Sequence, residues 1–116
     1  MSINRIGIGP RMSQAVVHGD TVFVSGTVAD KAAGKSVGEQ TAEILAIIDG
    51  LLAKAGTDKT KVLSASIWLV DIKTFAEMNA VWDAWVAPGN TPARATVEAK
   101  LAAPQFNVEI ACIAGR

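Results

Sequence analysis

The chain has 116 residues, half of them hydrophobic and 19% charged, with 11 basic and 11 acidic side chains in balance. This length supports one hydrophobic core and one domain over residues 1–116, and the zero net charge leaves no field to recruit nucleic acid or an acidic membrane surface. A single cysteine, Cys112, excludes an intramolecular disulfide and a multi-cysteine metal site, and a single histidine, His18, leaves few options for zinc, so no metal is expected.

Residues 1–10 read as an irregular arm, because Gly7, Gly9 and Pro10 prevent a helix; no apolar run here is long enough for a signal peptide or a membrane span, and the cytoplasm is the expected compartment. Ser13–His18 and Thr21–Ser25 are β-rich runs split by Gly19-Asp20, a hairpin signal. The second run ends at Ser25-Gly26, where a glycine suits either a close ligand approach or an ordinary strand-end turn. Residues 28–36 are loop-like. Ser36 followed by Glu39 is a capping-box spacing that opens a helix. Val37, Thr41, Ile44, Ile48, Leu51 and Ala55 recur at intervals of three and four, widened by Leu45 and Leu52, and Gly56 stands where a C-terminal cap belongs.

After a polar turn, Val62–Val70 reads as a strand with Leu63, Ala65, Ile67 and Leu69 on an apolar face and Ser64, Ser66 and Trp68 on the other. Thr74 and Glu77 repeat the capping-box spacing and start a second helix to about Val86, with Phe75, Met78, Trp82 and Trp85 on its stripe. Asn79 falls on that side, and a buried amide there must find partners, in the Pro88–Asn90 loop or in a ligand. Pro92 holds its predecessor extended. From Ala93 the chain alternates, with Ala95 and Val97 on one side and Arg94, Thr96 and Glu98 on the other. Arg94 on a rigid element with small neighbours is either a bidentate clamp for a carboxylate or phosphate or a surface arginine of little consequence. Ala102-Ala-Pro104 interrupts, and Asn107–Ala114 is the last strand. On it Glu109 is a lone carboxylate among apolar residues, to be matched by Arg94, backbone amides or water, or kept protonated.

The predicted order is ββ-α-β-α-ββ, an α+β fold whose neighbouring strands pair as hairpins into a mixed sheet with both helices on one face. The other face, carrying small polar residues, is left for subunit association, as the high apolar content also suggests. No phosphate-cradling glycine loop, dinucleotide fingerprint or nucleophile elbow is present. Cys112 reads as inert packing, and the tryptophans are core-spaced rather than interleaved with basic residues.

The segments GPRMSQAVVHGDTVFVSG, MNAVWDAW, TPARATVEA and NVEIACIA together resemble the RidA/YjgF family of reactive-intermediate deaminases, in order and spacing over nearly the whole chain. The resemblance implies a chorismate-mutase-like homotrimer with ligand clefts between subunits. It implies cofactor-independent hydrolysis of 2-imino and 2-enamino acids, such as 2-aminoacrylate and 2-iminopropanoate, to 2-keto acids and ammonia. Carried over by position, Arg94 would bind the substrate carboxylate and Glu109 would handle water and protons. Ser25, Gly26 and Asn79 would line the cleft, and the chemistry makes backbone groups near Gly26 or Ala95 candidates to hold the imine nitrogen or the water. Arg11 stands where many members have tyrosine, which bears on substrate preference, and Thr96 where many have cysteine, which argues against an essential thiol. Two other readings compete: a non-catalytic trimer that binds small carboxylates or acts as a chaperone, and, more distantly, a ribonuclease or translation inhibitor.

Overall fold

The computed structural model describes residues 2–116. The alternating segments become β1 (Ile3–Ile8), β2 (Ser13–His18), β3 (Thr21–Thr27), β4 (Val62–Leu69), β5 (Ala93–Glu98) and β6 (Val108–Gly115). The two amphipathic segments become α1 (Val37–Lys54) and α2 (Phe75–Trp85). All six strands join one mixed sheet in the order β1-β2-β3-β6-β4-β5.

Two expectations are corrected by this topology. The first ten residues are not an irregular arm, since Ile3–Ile8 pairs antiparallel with β2. Glycines that forbid a helix do not forbid an edge strand. Gly7 sits at a positive φ of 64°, and a Cβ there would overlap the side chain of Gln14. Nor do the last two strands pair as a hairpin. β6 inserts antiparallel between β3 and β4, whereas β5 runs parallel to β4 at the sheet edge, the arrangement a helical crossover through α2 allows.

Burial defines the two faces. Ala15, Val17, Val22, Val24, Ala65, Ile67, Leu69, Val108, Ile110, Cys112 and Ala114 are buried with the inner stripe of α1 and with Met78 and Trp82 of α2. Both helices therefore cover one face, as expected. The opposite face carries Phe23, Ser64, Ser66, Trp68, Glu109, Ala111 and Ile113, all exposed or half-buried. Leu63 was expected in the core and is instead 58% exposed. The register between β4 and β6 slips between Val62 and Ser64, so Leu63 is the extra residue of a bulge that lets both Val62 and Ala65 face inward. Trp68, expected on the face of Ser64 and Ser66, lies there half-buried beside Glu109.

The cap of α1 forms as predicted, with the Ser36 hydroxyl accepting from the Glu39 amide at 3.2 Å. At its other end Gly56, at φ 82°, donates to Ala53 and Thr57 donates to Leu52, the paired bonds of a Schellman closure. The second capping box does not form. Thr74 makes no side-chain cap and donates instead to the Asp71 carbonyl, while Glu77 accepts from the Gly38 amide at 2.7 Å. Glu77 thus caps the neighbouring helix, a non-local use of a residue whose local spacing suggested otherwise. Gln40 is the buried polar residue that ties the loops to α1. Its amide donates to the carbonyls of Lys35 and Gln105, and its oxygen accepts from the Asn107 amide. Removing it would leave buried backbone groups unpaired.

Candidate active site

The site begins with β5, whose alternation is as read from the sequence but whose polar side faces the helix layer. Arg94 pairs in register with buried Ala65, and Thr96 with buried Ile67. The Arg94 side chain therefore meets α2 rather than small residues alone. Phe75, Asn79 and Trp82 lie at helical spacing on the side of α2 that faces it. Arg94 Nη1 donates to Asn79 Oδ1 at 2.8 Å, and its Cζ lies 5.2 Å from the Trp82 ring centroid and 5.7 Å from that of Phe75. Among the described residues, Asn79 is the hydrogen-bond partner of this guanidinium, and its other N–H donors are free for a ligand. Two residues along the same face, the Thr96 hydroxyl is buried with no hydrogen-bond partner, and an orphaned polar atom of this kind calls for an explanation such as a ligand.

Glu109 occupies a different place. It pairs in register with Trp68 and faces the open side of the sheet, half-buried. Across from it, β3 bulges between Val24 and Thr27, so Ser25 and Gly26 together oppose Ala111. A Cβ on Gly26 would overlap the Glu109 carboxylate, which explains the glycine by close approach rather than by a special backbone angle. Ser25 and Gly26 also line a cavity of about 260 Å³ with Met12, Gln14 and Asp30. Arg11 precedes Met12 in the tight turn closed by the Gly9 amide on the Met12 carbonyl at 2.8 Å, and it is exposed. Ala95 lies on the open face with Ala93, Ser64 and Ser66, lining a shallow groove of about 290 Å³.

The predicted residues thus fall into two groups. Asn79, Arg94 and Thr96 gather at the β5–α2 edge, while Ser25, Gly26 and Glu109 gather at the β3–β6 bulge, with Arg11 near the second group and Ala95 beside Arg94 on the groove of the open face. Within one chain Arg94 and Glu109 do not meet. Arg94 is level with Cys112, three positions along β6 from Glu109, with β4 between them, and the two side chains leave opposite faces. The Arg94 partner considered for Glu109 is therefore excluded within a protomer. Sequence reasoning passed over the aromatic neighbours of Arg94, although the spacing of Phe75, Asn79 and Trp82 at i, i+4 and i+7 carried that signal.

Burial pushes the Cys112 thiol up to about 11, so it stays protonated at neutral pH and is no nucleophile. Among the described residues no group of three or more His, Cys, Asp or Glu is placed to hold a metal ion. No described helix is long and apolar enough to cross a membrane.

Comparison with known proteins agrees with this architecture. The family model described as Endoribonuclease L-PSP matches residues 3–115. A RutC family protein of Haemophilus influenzae is 44% identical over 114 residues, covering 98% of each chain. The Reactive Intermediate Deaminase A of Arabidopsis thaliana chloroplasts is 30% identical over 112 residues, covering 92% of this chain and 59% of its own. A crystal structure of a YjgF family member from Neisseria meningitidis superposes with a TM-score of 0.96 at 51% identity, covering 100% of this chain and 96% of that one. A family match over nearly the whole sequence, on a mixed sheet with two helices on one face, establishes that the chain belongs to the RidA/YjgF family.

Proposed function

We propose that the protein hydrolyses 2-imino and 2-enamino acids, of the 2-iminopropanoate and 2-iminobutanoate type, to 2-keto acids and ammonia, without a cofactor and in the cytoplasm. The observation that carries this reading is the Arg94 guanidinium, half-buried, held by Asn79 and retaining free donors for an anion. Planar fork geometry matches a carboxylate, the one group every such substrate shares. The relationship to an Arabidopsis protein named Reactive Intermediate Deaminase A supports the same chemistry.

The reaction asks little of the protein. The imine carbon is already electrophilic, so the carboxylate must be anchored, a water positioned and protons moved. Glu109 takes a proton from water as the water oxygen bonds to C2 and returns it to the imine nitrogen, which becomes the amine of a carbinolamine. The carboxylate then takes the C2 hydroxyl proton and passes it to that amine, so that the C–N bond breaks, ammonia leaves and the C2 oxygen becomes the keto group. An enamine enters after a proton is added at C3 and one is lost from nitrogen, which converts it to the imine.

Because Arg94 and Glu109 leave opposite faces of one sheet, a complete site requires the Arg94 group of one copy and the Glu109 group of the next. Such a contact joins two different patches, and it closes into a ring when the rotation permits. A trimer with three clefts follows this logic and uses the open face, where Phe23 is 46% and Ile113 37% exposed, as buried surface. The balanced charge gives no support to a ribonuclease reading.

The test is complementation. Arg94→Ala and Glu109→Gln are each expected to be inactive in an assay where a dehydratase generates the imine and keto-acid release is followed. Mixed, dissociated and reassembled, they should recover about a quarter of wild-type activity, since each site then has an even chance of an intact group from either copy. No recovery from co-assembled trimers would overturn the shared cleft. A wild-type protein that binds keto acids without accelerating hydrolysis would be a binding protein.

A further inference from the structure

We infer that Phe75, Trp82 and Asn79 form a cage that fixes the Arg94 guanidinium in its binding pose, making Phe75 and Asn79 positioning residues that act on a substrate carboxylate through Arg94. The inference rests on the carboxylate-clamp reading and extends it to residues on the neighbouring helix.

The geometry is that of a cation held between two rings. Phe75 and Trp82 are seven residues apart on α2, a rise of about 10.5 Å. The guanidinium carbon is 5.7 Å from one ring centroid and 5.2 Å from the other. These separations place it between the rings along the helix, with Asn79, at the intermediate turn, taking Nη1. Both distances are within the range at which a ring face attracts a cation. Trp82 is 5% exposed and cannot swing away, since it also packs on Trp85 with centroids 5.2 Å apart. Phe75 is 41% exposed, a poor use of a large ring unless its face has a partner, and that partner is Arg94.

A free arginine side chain samples many rotamers, and a fork already fixed loses less of that freedom when a ligand binds. The two rings flank the guanidinium and Asn79 takes one corner of it, so the remaining N–H donors are what an incoming anion meets. The arrangement also distinguishes arginine from lysine. An ammonium on a flexible stem keeps the charge but has no planar fork for the amide and the rings to orient.

The experiment is a double-mutant cycle read by NMR titration with 2-oxobutanoate, a stable keto acid carrying the carboxylate of the proposed substrates. In the intact protein, Phe75→Leu is expected to weaken binding about two- to fivefold, and Asn79→Ala about tenfold. Phe75→Tyr, which keeps the ring, should restore wild-type affinity. In an Arg94→Ala background the first two substitutions should have no further effect, a coupling that a merely structural role does not produce. Unchanged affinity in Phe75→Leu, losses that persist undiminished without Arg94, or a wild-type protein that binds no keto acid would each overturn the cage. Should Asn79→Ala fail to fold, the Phe75 arm decides alone. Coupled binding without imine hydrolysis would refute the deaminase reading and leave the cage standing. Hydrolysis with purely additive losses would do the reverse.

Discussion

The two halves of the proposed site are built to different standards. Arg94 is held by its own chain, with an amide on Nη1 and rings within 6 Å on two sides. Glu109 is placed by its strand and by the glycine it overhangs. The difference fits the role proposed for each residue. A carboxylate anchor works best when its orientation is settled before the ligand arrives. A proton carrier must exchange partners during the reaction, so fixed bonds to its own chain would work against it.

The sharpest way to break this comparison is at Glu109. Glu109→Gln keeps the shape and removes the basicity, and imine hydrolysis is expected to fall by 10²- to 10⁴-fold, the usual worth of a general base. Thermal stability should hardly move. A variant that unfolds, while its folded fraction retains full activity, would make Glu109 a structural residue. At the other half the effect is smaller and its character differs. Arg94→Ala should weaken keto-acid binding about ten- to hundredfold, a charge-assisted contact of roughly 1.5–3 kcal/mol. Arg94→Lys should recover part of the binding and little of the turnover, because orientation is lost. Full activity in Arg94→Ala would leave it an ordinary surface arginine.

Those residues were legible in the sequence as residues, less so as a site. Alternation along Ala93–Glu98 placed Arg94 and Thr96 on one side of a strand, yet it could not say that this side meets α2, because that depends on β5 joining the edge parallel to β4. Glu109 stood out as a lone carboxylate, but its separation from Arg94 follows from β6 inserting between β3 and β4, a long-range pairing with no local signal. Local chemistry read well where it closed on itself, as in the Ser36 cap, the Gly19 turn and the Gly56 closure. It misled where a partner came from elsewhere. Glu77 has capping-box spacing to Thr74, yet its carboxylate is taken by Gly38, 39 residues away in the chain. Leu63 continues an alternation that one inserted residue breaks.

Gly26 joins the comparison because it supports Glu109 by lacking a side chain. Gly26→Ala introduces a methyl where the carboxylate lies, so either the bulge or Glu109 must shift, at a cost of about 1–3 kcal/mol if the site resists. Activity should fall with it. Pairing Gly26→Ala with Glu109→Ala removes the clash, and the double variant should regain stability without regaining turnover. Regained turnover in a chain without the carboxylate would show that Glu109 is not the proton carrier.

The effect with no bearing on turnover concerns the other face of the same strand. Cys112 lies three positions beyond Glu109 on β6, but it points into the core and is 5% exposed. Burial keeps the Cys112 thiol protonated, pushing it from 9.0 to about 11. A group whose folded pKa is raised contributes stability that is complete below the unfolded pKa and is lost as pH rises through the folded one. Between pH 9 and 11 the unfolded chain releases this proton while the folded chain retains it. Stability should therefore decline by roughly 2 kcal/mol by pH 10.5 through this thiol. Lysines titrate in the same range, so the informative quantity is the difference between the wild type and Cys112→Ala, unfolded by denaturant at equal protein concentration. Cys112→Ala should start less stable at pH 7 through its lost packing, and the gap should narrow as pH rises. A gap constant from pH 8 to 10.5 would mean that the thiol ionises as readily in the folded protein as in the unfolded chain, and that solvent reaches the core beneath the sheet.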